Sequence, residues 1–112
     1  MNAQLADLVK KVLNLLVAEK YADIVILTHG TRLNAEEIAR AIGEYGRKLI
    51  MPPEEGFQLM KSIEVKNARP RRWSIVIPLW TREEGRSDLT LEMTVIEQQN
   101  GFFVELNDLH VL

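Results

Sequence analysis

The sequence contains no cysteine, and this absence removes several classes of chemistry. Without thiols there are no disulfides, no thiol nucleophiles and no cysteine-ligated zinc or iron–sulfur centres. A chain without cysteine fits a reducing compartment, so a cytoplasmic protein is predicted. An excess of positive charge is also missing, because the formal net charge is −2 at pH 7. Binding to nucleic acids or to anionic membrane surfaces needs a basic excess, and neither partner is predicted.

Long apolar runs are missing as well. The continuous apolar segment at residues 24–27 is far too short to cross a bilayer, so no membrane span is predicted. Polar side chains interrupt the apolar residues near the N-terminus, which argues against a signal peptide. With 112 residues, of which 46% are hydrophobic and 27% charged, the chain is predicted to form one α+β domain over residues 1–112.

The first half of the chain has the spacing of amphipathic helices. Apolar residues recur every three or four positions over residues 3–19, which predicts a helix with a wide aliphatic stripe. Residues 21–28 fit either a buried strand or a short helix that ends at His29-Gly30. The helix is the favoured interpretation of this segment.

A third helix has the clearest local signals. Asn34 is a good N-cap, and Glu37 follows three residues later in a capping-box arrangement. Gly46 is predicted to end this helix. Residues 51–56 contain two prolines and a glycine and are predicted to form a loop.

After residue 56 the apolar period changes from about 3.6 to about 2. The alternation predicts four strands, at residues 57–65, 73–80, 88–97 and 102–106. Short connections between them, including an Asn-Gly turn, imply antiparallel pairing. The predicted fold is therefore α+β, with two or three N-terminal helices packed on a four-stranded antiparallel meander sheet.

The strand at residues 73–80 places Trp73, Ile75, Ile77 and Leu79 on the presumed core side. Pro78 is unexpected within a strand, because proline cannot donate a ladder hydrogen bond. It is therefore predicted to lie at a bulge, or where that side of the strand has no partner.

Apolar side chains are also predicted on the face of the sheet opposite the core. A one-sided layer of helices would leave this face uncovered. Three explanations remain open: an interface for a partner or a second copy, a ligand pocket, or cover from residues 21–27. The interface is favoured. The residues concerned are Val76, Trp80, Ile96 and Phe103.

Catalytic and metal-binding motifs are missing. His29 and His110 belong to no His-x-x-x-His or His-Glu-x-x-His pattern, and no glycine-rich phosphate loop or nucleophile elbow occurs. No catalytic residue, metal or cofactor is therefore predicted, although the enzyme question stays open.

Two carboxylates on the last two strands are the remaining acid–base candidates. Glu92 and Glu105 are predicted to face each other across the hairpin, where paired carboxylates can serve as acid and base. Ordinary solvated residues on an open sheet face are the favoured interpretation. If the sheet is concave, these two residues together with Tyr45 and Trp80 are candidates for lining a ligand pocket.

Three arginines and a tryptophan are concentrated between the first two predicted strands. Such residues can grip phosphate or stack on bases, but a solvated hairpin turn is the favoured interpretation. Arginine and tryptophan also dominate the energetics of protein interfaces. The candidate partner-contact residues are Arg69, Arg71, Arg72, Trp73, Val76, Trp80 and Phe103.

Four stretches of the sequence resemble a family of small, uncharacterised bacterial proteins. They are LNAEEI at residues 33–38, PRRWSIVIPLWT at 70–81, EGRSDLTL at 84–91 and DLHVL at 108–112. That family is a domain of unknown function, so the resemblance implies no activity. More loosely, the element order resembles the NTF2-like or cystatin-like α+β group, which includes pocket enzymes, ligand carriers and dimerisation modules.

These features together predict a small cytoplasmic bacterial protein that acts as a non-enzymatic protein-interaction module. It would be a homodimer or the accessory or immunity-type partner of a larger protein. The alternative is an NTF2-like pocket protein that binds or turns over a small apolar ligand.

Overall fold

The computed structural model describes residues 3–111 and confirms an α+β fold, in which N-terminal helices pack on an antiparallel sheet. The helices of this part of the chain are α1 (Ala3–Val17), α2 (Tyr21–Thr28), α3 (Ala35–Tyr45) and α4 (Glu54–Gln58). The strands are β1 (Leu49–Ile50), β2 (Lys61–Glu64), β3 (Arg72–Thr81), β4 (Gly85–Gln98) and β5 (Gly101–Val111).

The predicted ends of α2 and α3 are confirmed, whereas α1 ends at Val17 and not at residue 19. Residues 21–28 form a helix, and His29 follows it in the left-handed conformation with φ of 55°. At α3 the Asn34 side chain accepts a hydrogen bond from the Glu37 N–H at 2.8 Å, and the Glu37 carboxylate accepts one from the Asn34 N–H at 2.9 Å. Gly46 ends α3 with φ of 73°, a conformation that costs glycine little.

The sheet has the strand order β1-β3-β4-β5, and β2 pairs with the first half of β3. The predicted four-stranded meander corresponds to β2 through β5. Pro78 lies in the gap along β3 between the part that pairs with β2 and the part that pairs with β1. The register between β3 and β4 also shifts between Pro78 and Trp80. Both features that were predicted to accommodate this proline are therefore present.

One face of the sheet packs against the helices, and we call it the inner face. Ile75, Leu91 and Val104 lie on it and are 1% exposed or less, as the predicted alternation requires. Aliphatic side chains of α1, α2 and α3 complete the hydrophobic core. Burial of this apolar area is the main stabilising contribution to the fold. The opposite face of the sheet is called the outer face below.

The strand predicted at residues 57–65 is wrong over most of its length. Phe57 and Gln58 belong to α4, so part of the predicted loop at 51–56 is also helical. Pro53 stands immediately before this helix and two glutamates occupy its first turn, a favourable helix start. Only Lys61–Glu64 is extended, and all four of its residues are exposed.

The last two strands are longer than predicted. Gly85, Arg86 and Ser87, which precede the strand predicted at residues 88–97, already belong to β4. Residues 107–111, predicted to follow the last strand, belong to β5. The pairing of β5 with β4 continues beyond residue 106 through a bulge, at which the register shifts between Glu92 and Met93.

Candidate functional site on the outer face of the sheet

The outer face presents apolar side chains at one end. Ile63 on β2 lies opposite Ser74 on β3, which lies opposite Thr94 on β4. Ile63 is 66% exposed, although isoleucine is among the residues most often buried. Three half-buried apolar side chains lie on the neighbouring pairs of this face. We call Ile63, Val76, Ile96 and Phe103 the apolar end.

Cover from the second helical segment reaches the apolar end at one residue. The ring of His29, just past α2, lies 4.7 Å from the ring of Phe103, measured between centroids. A parallel bridge between Arg32 and Leu106 brings the following residues along the edge of β5. Residues 29–32, just after the segment that was predicted to provide cover, thus cover the β5 edge of the outer face. Ile63 at the other edge stays exposed.

Arg72 adds an unsatisfied polar group to this face. It lies opposite Ile96, beside the apolar end. Its Nε is shielded from solvent and has no hydrogen-bond partner among the described residues. A buried donor without an acceptor costs about 1–3 kcal/mol, so an acceptor from another molecule would be stabilising here.

The other two arginines of this segment, Arg69 and Arg71, do not join Arg72 on the outer face. Arg71 forms a bidentate ion pair with Glu64, with both nitrogen–oxygen distances at 3.0 Å. The Arg71 guanidinium also lies 5.1 Å from the centre of the Trp73 ring, on the inner side of the sheet. Arg69 is exposed in the turn before β3. The arginines therefore do not converge on one surface, as a phosphate site would require.

Tyr45 and Trp80, two of the predicted pocket residues, lie in different places. The Tyr45 hydroxyl donates a hydrogen bond to Glu84 at 2.8 Å and accepts one from the Asp88 N–H at 3.3 Å. Desolvation by its surroundings and the Glu84 hydrogen bond raise the pKa of Tyr45 above 10.0. Trp80 lies against Gly56 of α4 and lines a separate shallow cavity.

The predicted pairing of Glu92 with Glu105 is wrong. The bulge in β5 places Glu92 opposite Asp108, whereas Glu105 lies opposite Thr94. Glu105 instead approaches Arg32, with 3.9 Å between Oε1 and Nε. The four pocket candidates are thus not brought together in a single cavity of the described structure, and a ligand role for them stays a prediction.

A cluster that the sequence did not predict lies on the outer face, beyond the apolar end. It consists of Glu92, Asp108 and His110, whose potential ligand atoms all lie within 4.8 Å of one another. The Asp-x-His spacing was a usable signal, since residues two apart point to the same side of a strand. It was missed because the last strand was predicted to stop at residue 106.

A cavity of ≈ 410 Å³ opens between α1 and the sheet, at the end where β3 begins. Its apolar wall is made by Leu5, Trp73 and Phe102, and the two aromatic rings meet edge to face with 5.8 Å between centroids. The Arg71–Glu64 ion pair lies at its rim.

Comparison with known proteins places the chain in a family. A family model for a domain of unknown function, DUF7668, matches residues 13–112. The chain belongs to the DUF7668 family. The resemblance to an uncharacterised family is therefore confirmed. No curated protein and no solved structure matches this DUF7668 chain, so NTF2-like similarity and bacterial origin stay predictions. Within residues 3–111, none of the helices has the length and apolar character needed to cross a membrane.

Proposed function

We propose that the DUF7668 chain is a non-enzymatic protein-interaction module that pairs with a second copy of itself through the outer face of its sheet. The observation that carries this proposal is the exposure of Ile63, 66%, at the apolar end. Helices α1, α2 and α3 pack against the inner face and against one another, so they do not cover Ile63. An apolar patch that a protein's own elements leave open is typical of an interaction site.

The distribution of charge favours a second copy as the occupant. A two-fold axis that runs across the strands, through the row of Ile63, Ser74 and Thr94, would place the two copies of Ile63 against each other, with the neighbouring rows of the outer face around them. The same axis places the Glu92 row of one copy over the Arg72 row of the other. Arg72 of each copy would then lie over Val76 of the other, and Glu92 on the adjacent strand, about 5 Å to the side, would be the nearest carboxylate for its guanidinium. Of the predicted contact residues, Arg72, Val76 and Phe103 belong to this interface.

Light scattering coupled to size-exclusion chromatography tests self-association. The wild-type chain is expected to elute with twice the mass of the 12.9 kDa chain. Ile63→Lys should give a monomer, because the new charge would be buried between two copies. Ile26→Lys is the matched control: Ile26 is 72% exposed but lies on α2, so the variant should remain dimeric.

Two outcomes contradict the proposal. One is a wild-type monomer at every concentration, which would leave a different protein as the only partner of such a module. The other is an Ile63→Lys variant that still dimerises while keeping the wild-type melting temperature. Since Ile63 is exposed, the variant is expected to fold normally.

The cavity beside Trp73 supports a second candidate function, a pocket protein for a small ligand. Its apolar wall and its ion-paired rim are typical of ligand sites. The chain has two tryptophans, so Trp80→Phe leaves Trp73 as the single reporter, and Trp73→Phe leaves Trp80. An apolar dye should change only the Trp73 fluorescence if the cavity binds ligand. Equal changes in both variants, or none, would exclude this function.

A further inference from the structure

The cluster of Glu92, Asp108 and His110 owes its geometry to the bulge in β5. The bulge sets Asp108 directly opposite Glu92 across the β4–β5 ladder, and the alternation of the strand brings His110 to the same side. The Nδ1 atom of His110 lies 3.2 Å from Oδ2 of Asp108 and 3.3 Å from Oε2 of Glu92. An imidazole nitrogen and two carboxylates from neighbouring strands thus converge on one point.

Neighbouring charges make this arrangement unfavourable unless a cation is present. Like charges that lie directly opposite on paired strands are destabilising, and Glu92 faces Asp108 in this way. The Nδ1 atom is shielded from solvent, yet it makes no hydrogen bond with good geometry. The Nδ1 atom and the two carboxylate oxygens near it are therefore atoms that one bound ion could bridge.

The distances fit coordination of a single ion. Two ligand atoms that each lie about 2.0–2.2 Å from one ion, at tetrahedral or octahedral angles, are separated by roughly 2.8–3.6 Å. Both separations measured from Nδ1 fall within that range. The third, between the two carboxylates, is at most 4.8 Å, and a rotation of one exposed side chain can close it.

We propose that Glu92, Asp108 and His110 bind a divalent transition-metal ion of the Zn²⁺, Co²⁺ or Mn²⁺ type on the outer face. One imidazole with two carboxylates suits these ions better than Ca²⁺ or Mg²⁺, which prefer oxygen ligands only. Three protein ligands leave at least one coordination position open to water or to a group from another molecule. None of its ligands belongs to the apolar end, but Glu92 lies opposite Val76 and in the row that the proposed dimer places over Arg72, so metal binding and self-association share this carboxylate.

Titration of the chelator-treated full chain with Co²⁺, followed by visible absorption, tests the site, and calorimetry with Zn²⁺ gives the stoichiometry. One ion per chain is expected, and ¹⁵N NMR should show that the His110 Nδ1 resonance shifts when Zn²⁺ is added. His110→Ala should weaken binding at least about tenfold, an easily measured change in affinity. Glu92→Gln and Asp108→Asn should each weaken it while preserving side-chain shape.

The matched control is the other histidine of the chain. His29→Asn tolerates the left-handed backbone at this position and should leave metal affinity unchanged. Ile63→Lys keeps all three ligands, so its metal binding tests the site separately from self-association. Binding that survives His110→Ala in a folded variant would overturn the proposal. So would a His110 Nδ1 resonance that Zn²⁺ does not shift.

Discussion

Ser87 donates a hydrogen bond from its hydroxyl to the carbonyl oxygen of Leu79 at 2.8 Å, at the point where β3 and β4 change register. The Ser87 side chain is 4% exposed, and its oxygen also accepts from the Leu89 N–H at 3.2 Å. The side chain thus satisfies backbone groups that the irregular ladder leaves without their usual partners.

Ser87→Ala is expected to lower the free energy of unfolding by about 1–3 kcal/mol, because it leaves buried backbone groups without partners. Urea denaturation followed by circular dichroism measures the change. Ser62→Ala is the control: Ser62 is exposed on β2, and its variant should stay within about 0.5 kcal/mol of the wild type. Equal stability of the two variants would show that the bulge does not depend on the hydroxyl.

Two glycines are expected to respond to alanine with opposite signs. A Cβ atom at Gly56 would lie 2.7 Å from Cβ of Pro52 and 3.0 Å from the Trp80 ring, whereas one at Gly43 meets nothing within 4 Å. Gly56→Ala should therefore destabilise the fold by about 1–3 kcal/mol through overpacking. Gly43→Ala, within α3, should stabilise it by roughly 0.5–1 kcal/mol. Thermal melts check both signs, and a stabilising Gly56→Ala would contradict the packing of α4 on Trp80.

The ion pair of Glu64 with Arg71 gives a pH dependence of known sign. The hydrogen bonds from Arg71 hold the pKa of Glu64 below its ordinary value of 4.5. A carboxylate with a lowered pKa in the folded state contributes stability above pH 4.5, and this contribution is lost as the pH falls through the lowered value.

NMR titration of the side-chain carboxyl carbons should therefore show Glu64 protonating below pH 4.5. Arg71→Gln should return the pKa of Glu64 toward that ordinary value, because the charged donor is lost. Arg69→Gln, which removes the neighbouring exposed arginine, should leave the pKa of Glu64 at its lowered value. A titration of Glu64 that is the same in all three proteins would show that the ion pair does not form in solution.

Elements with strong local signals could be predicted from the sequence. The capping box at Asn34 predicted the start of α3, and the apolar alternation predicted that Ile75 and Leu91 are buried. Both signals depend only on residues close in sequence. Helix α4 was missed because its apolar residues are too few to establish a period. Ile63 was assigned an apolar strand position, but whether such a residue is covered depends on elements elsewhere in the fold.

The candidate sites depended on register, which the sequence pattern does not specify. The hairpin register leads to Asn107 as the residue opposite Glu92, and one extra residue at the β5 bulge puts Asp108 there instead, so Glu105 is never the neighbour of Glu92. The bulge changes the alternation only locally, where the buried residues Leu106 and Leu109 are three positions apart, and so short a stretch does not establish a new period. The metal-ligand cluster at His110 therefore became visible only with the pairing of the strands.

Amide chemical shifts recorded while the protein is diluted test the proposed self-association most directly. If two copies meet through their outer faces, the shifts of Ile63, Val76, Ile96 and Phe103 should change with concentration, while those of Ile26 on α2 stay constant. The Ile63→Lys variant should show the monomer shifts at every concentration. Concentration-dependent shifts confined to the helices, or wild-type shifts of these four residues that match those of Ile63→Lys at every concentration, would contradict the account.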